Sequence, residues 1–178
     1  MTRSRRSPVV LVLTLLAALF IICRADRAVA DDAHEALRPC TRSDLIGIWA
    51  MIRLGTARSV EVDRTDPTFL PYQRFAFRAD ASLRHLAAPA RVGPEEQRAV
   101  LSARTTITWT VDDKGRLLTR KNGAAEPEID ACQVLLAKVS DPRSPIPGLP
   151  GDLLLTHYGE DGKPIARRLL RKIAGSGE

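Results

Sequence analysis

Hydrophobic positions follow two regimes along the chain. From Val9 to Cys23 they are nearly continuous, and from Leu45 onward they come in short runs set between turn-forming residues. Short alternating runs mark strands with one buried face. Leu45 to Leu54 is apolar. Gln73 to Arg78 puts Phe75 and Phe77 on one face, and Ser82 to Leu86 returns across Ala79-Asp80-Ala81. Ala81 in that corner stands where glycine would sit more easily. Thr105 to Val111 sets Ile107, Trp109 and Val111 against threonines, and Asp112-Asp113-Lys114-Gly115 turns it back into Arg116 to Lys121. Cys132 to Val139 aligns Cys132, Val134 and Leu136. Asp152 to Tyr158 and Pro164 to Ile173 flank a turn at Gly159–Lys163. Pro94-Glu95-Glu96 suits the first turn of one short helix, reaching to about Arg104. Thr56 to Tyr72 and Asp141 to Gly151 are irregular, and the second holds four prolines, which suit a rim or edge and not a core strand.

Seven or eight short strands joined by hairpins predict a mainly β fold, an antiparallel barrel or sandwich. We expect an up-and-down β-barrel of about eight strands with one short helix. Closure removes exposed edges and can enclose a cavity.

The opening regime reads differently. Arg3, Arg5 and Arg6 precede an apolar run of about 15 residues, shorter than the ~20 a membrane-spanning helix needs. Ala28-Val29-Ala30 then precedes Asp31-Asp32. A basic head, a short apolar middle and a small-x-small site read as a secretory signal peptide, residues 1–30, cleaved after Ala30. An uncleaved anchor is the alternative. Lipidation at Cys23 is a third route, which Ile22 before it disfavours. Residues 31–178 then form a single domain in the bacterial periplasm or medium, with no membrane span left after cleavage.

Export alters the charge. The formal net charge of +6 includes five arginines and one aspartate in the first 30 residues, so the remaining chain carries +2. That leaves no basic stripe for nucleic acid, and nucleic acid is excluded as a partner. Two cysteines survive cleavage, Cys40 and Cys132. In an oxidising compartment an even pair reads as one disulfide, with two free buried thiols as the alternative.

Asp44-Leu45-Ile46-Gly47-Ile48-Trp49 resembles the Gly-x-Trp opening of the first strand in lipocalins and their calycin relatives. The resemblance implies a barrel whose base is closed by Trp49, with an arginine of the last strand packed on it. Gly47, Trp49 and Arg167 take those structural roles, Arg167 being chosen over Arg168 and Arg171 because it shares a face with Ile165 and Leu169. The irregular Thr56–Tyr72 stretch falls where a lipocalin carries its lid loop. A second family signature of the Thr-Asp-Tyr type is absent.

Candidate chemistry is sparse. His34, His85 and His157 show no metal-ligand spacing, so no metal is expected. His-Glu-x-x-His, Gly-x-Ser-x-Gly and triad spacing are all missing. No catalytic residue and no cofactor is assigned, and an enzyme is not expected. Acid pairs Asp112-Asp113 and Glu160-Asp161 suit solvated turns. Phe75, Phe77, Ile107, Trp109 and Leu136 are the expected inward, ligand-lining side chains. The expected function is binding of a small apolar or amphipathic ligand. The alternative is a structural or accessory periplasmic protein with a filled barrel, acting on a protein partner.

Overall fold

The computed structural model describes residues 36–57, 61–63, 65–102, 106–142 and 144–173. The expected signal segment, the helix end at Arg104 and the C-terminal tail lie outside them. The chain runs β1 (Leu37–Pro39), α1 (Arg42–Leu45), β2 (Gly47–Thr56), β3 (Tyr72–Phe77), β4 (Ser82–Ala88) and α2 (Pro94–Ser102). Then follow β5 (Ile107–Val111), β6 (Arg116–Lys121), β7 (Glu128–Leu135), β8 (Leu153–Tyr158) and β9 (Pro164–Lys172). No described helix is long and apolar enough to cross a membrane.

Strands β2 to β9 pair antiparallel in sequence order. The last also pairs with the first, so eight strands close into an up-and-down barrel. Hairpin chemistry explains the order. Gly115 sits at φ +73° and Gly162 at φ +72°, left-handed conformations that suit glycine. Gly115 is also confined, because a Cβ there would lie 2.5 Å from Pro39 Cβ. Ala81 adopts φ +66° without glycine's freedom. Its turn is tied by Arg78 N–H donating to Ser82 O at 2.9 Å and by Ser82 N–H donating to Asp80 at 2.9 Å.

The polar stretch before Cys40 ends as a strand. β1 continues β6's side of β7, pairing Leu37 with Leu135 and Pro39 with Gln133. Cys40 is thereby placed against β7 and forms a disulfide with Cys132, 92 residues away. Both sulfurs are buried in the core. Just beyond, Asp44 accepts from Thr41 N–H at 2.7 Å and from both terminal nitrogens of Arg38 at 2.7 Å. These donors hold its carboxyl well below the usual carboxylate range, Arg38 contributing most.

The core fills one end of the barrel. Trp49, Phe77, Trp109, Leu45 and Leu170 are all at most 2% exposed. Leu45, the last residue of α1, plugs the base, and its carbonyl accepts from Trp49 Nε1–H at 2.7 Å. Phe77 meets Trp109 edge-to-face, with ring centroids 5.3 Å apart. Trp109 Nε1–H donates to Ser82 O at 3.0 Å. That bond adds to the short β4–β5 ladder, which holds only two residue pairs.

The cation over Trp49 is Lys172, at 5.5 Å, and not Arg167, which is exposed on the outer wall. The reason lies in β9. Leu169 is buried on the outer face, where a Cβ on Gly148 would sit 3.7 Å from it, and Leu170 is buried inside. Arg168, Leu170 and Lys172 are therefore the inward set. They face Leu155, Leu153 and Trp49 across the ladders. A bulge between Met51 and Arg53 in β2 keeps Leu54 opposite Arg168.

Candidate ligand cavity

The other end of the barrel is polar inside. β3 places Gln73 and Phe75 inward, β4 His85, β7 Asp130, β8 His157 and β9 Arg168. Between them lies a cavity of about 160 Å³. Its apolar wall includes Phe75, Leu83, Ile107, Leu117 and Leu155, and its polar rim includes Thr119, Lys121, Glu128, Asp130 and Arg168.

A strap crosses the mouth. Gln73, fully buried, donates its amide to Thr68 O at 3.1 Å and Leu70 O at 2.8 Å, with Pro67 O at 3.2 Å. Arg168 Nη2 donates to the same Thr68 carbonyl at 3.2 Å. Asp66, Pro67 and Thr68 thus form the roof of the cavity. This strap belongs to the irregular Thr56–Tyr72 stretch, of which residues 58–60 and 64 lie outside the described set.

Three charge arrangements share the rim. His157 Nδ1 lies 3.0 Å from Asp130, whose carboxylate raises the imidazole's pKa. Lys121 pairs with Glu128 at 2.9 Å. Arg168 forms no ion pair among the described residues, although the charges of Asp130, Glu128 and Asp66 act on it. It is 8% exposed, and its Nε–H is buried without a hydrogen-bond partner. Burial lowers its pKa. A buried guanidinium with an unused donor is costly. Arg74 and Arg84 also have a buried, unpartnered Nε–H, but only Arg168 of the three lines this cavity.

His85 is neutral here. It stacks on Phe75 with centroids 4.5 Å apart, and burial, aided by Arg168, pushes its pKa down to about 4. Its Nε2 lies 3.3 Å from Gln73 Oε1. Since the Gln73 amide nitrogen serves backbone carbonyls, Oε1 is the acceptor and His85 carries its proton on Nε2.

Of the five side chains expected to line a site, Phe75 and Ile107 border the cavity. Phe77 and Trp109 are buried 1% exposed in the packed base. Leu136 lies just past the end of β7 and is 51% exposed. Sequence reasoning missed Gln73, His85, Asp130 and Arg168 as a group. The available signal was register: Gln73 alternates with Phe75 and Phe77, His85 with Leu83, Asp130 with Cys132 and Val134, and Arg168 with Leu170. A larger concavity, about 510 Å³, lies on the outer wall between Arg53, Thr56, Asp141, Ile165 and Arg167 and opens to solvent. No cluster of three or more metal-ligating side chains occurs among the described residues.

No protein-family model matches this chain, and neither a curated protein nor a solved structure shows significant similarity to it.

Proposed function

We propose that this chain is an exported, lipocalin-like binding protein for a small amphipathic ligand held inside the barrel. The observation that carries the reading is the roofed cavity, apolar on one wall and polar on its rim. Binding works by burial: the ligand's apolar surface leaves water against Phe75, Leu117 and Leu155, and the rim sets its orientation. At about 160 Å³ the space is below the ~300–1,000 Å³ of drug-sized sites, which limits the ligand to a short chain or a single ring. Export is supported by the disulfide and by the basic-apolar-small pattern of residues 1–30. The closed barrel and the Gly47–Trp49 base support the lipocalin-like reading.

A second reading has its own observation. Leu136, Val139, Ile146 and Leu149 are all more than a third exposed within one stretch of chain. Grouped apolar exposure favours a protein partner. Native mass spectrometry of the protein purified from the compartment of the cells that make it separates the two. A retained small molecule, released on unfolding, is the expected result. A ligand-free chain that also takes up nothing from a small-molecule extract of those cells would overturn the binding reading.

A further inference from the structure

We propose that the ligand is a short monocarboxylate and that Arg168 is its anchor. This rests on the cavity being a binding site. Arg168 projects from β9 into the cavity, more than nine-tenths buried. One of its donors is spent on the Thr68 carbonyl of the roof, and its Nε–H faces no protein acceptor. The neighbouring charges do not take that place. Glu128 is held by Lys121 and Asp130 by His157. Asp66 lies in the roof, with its carboxylate accepting from Thr68 N–H at 2.8 Å.

Among the described cavity-lining residues Arg168 is thus a desolvated cation with an open donor, for which an oxygen anion is the fitting complement. Guanidinium–carboxylate hydrogen bonds are about twice as strong as neutral ones, and the exchange relieves an unmet buried donor. The same surroundings select the charge. Asp66, Glu128 and Asp130 all border the space, so a doubly charged phosphate meets more repulsion than a singly charged carboxylate. The apolar wall then takes the body of the molecule. Phe75 is fixed by its stack on neutral His85, and Leu83, Ile107 and Leu117 lie on the same lining. The volume excludes long acyl chains.

The test is titration calorimetry of the disulfide-bonded chain with three probes: hexanoate, 1-hexanol and inorganic phosphate. Hexanoate should bind at least tenfold more tightly than 1-hexanol, and phosphate should not compete. Arg168→Met, checked for native folding by near-ultraviolet circular dichroism, should weaken hexanoate at least tenfold and leave 1-hexanol within about twofold. Should that variant not fold, the Arg168 Nε–H resonance of the unaltered protein gives the same answer. It should move on adding hexanoate and stay in place with 1-hexanol. Equal or weaker binding of hexanoate than of 1-hexanol would remove the carboxylate assignment while leaving the cavity as a site. Tighter binding of phosphate than of hexanoate would make the anion a phosphate and overturn the assignment too. Binding of neither organic probe would remove both readings.

Discussion

Acid should destabilise this protein through one buried imidazole. His85 has an unperturbed pKa of 6.5 and is held near 4 in the folded chain by burial, with Arg168 and Lys121 opposing its charge and Glu128 favouring it. Between those two values the unfolded chain takes up a proton that the folded chain refuses. Stability is therefore full at neutral pH and falls as the pH drops through that window. The gap corresponds to about 3 kcal/mol below pH 4, of which about 2 kcal/mol is already lost by pH 5. His157 acts with the opposite sign. Its pKa is raised by Asp130, so its contribution is present below 6.5 and fades as the pH rises through its folded value. Its side chain is about a third exposed, which keeps that effect small. His85→Gln removes the first effect and leaves the second. Urea unfolding followed by circular dichroism at pH 7.5, 6 and 5, at constant ionic strength, isolates it. The unaltered chain should lose about 2 kcal/mol more than the variant between pH 7.5 and 5. Parallel losses in the two proteins would refute the burial argument.

Two further outcomes follow from the fold. Ala81→Gly relieves the left-handed alanine at φ +66° and should stabilise the chain by about 0.5–1 kcal/mol, seen as a melting temperature higher by a few degrees. A lower melting temperature would contradict it. Replacing Cys40 and Cys132 together by serine frees a loop spanning 92 residues and should cost about 4–5 kcal/mol, an upper figure from chain entropy. The denaturant midpoint measures this, and a loss below about 1 kcal/mol would show that the link carries little of the stability.

Strand order was legible because each hairpin announces itself twice, by alternation and by its turn. Asp112–Gly115 and Gly159–Lys163 are both, and the strands either side pair as their patterns say. The Cys40–Cys132 link followed from compartment and parity alone. Much of what was not legible has one physical cause: an interior that is half polar. β7 runs Glu128–Leu135 where alternation predicts a strand from Cys132 to Val139, because an apolar-inside rule does not start a strand on Glu128 and Asp130 facing inward. The same rule hid Arg168 beside Arg167. Leu169 points outward yet is buried beside Gly148, so its apolar side chain made the wrong face of β9 look like the core. Alternation groups Cys132, Val134 and Leu136, but the strand ends at Leu135 and Leu136 leaves the ladder. Local pattern carries strand direction well. It does not say which polar residues a neighbouring strand will bury.

β9 is hydrogen-bonded along both flanks, to β8 behind it in sequence and to β2 more than a hundred residues earlier. Until its nine residues emerge, the growing chain is an open ribbon with two bare sides, one of them the first long strand made. Sealing thus waits until β9 is in place. The time between release of β2 and arrival of β9 is the interval in which the chain is most open to pairing with another copy of itself.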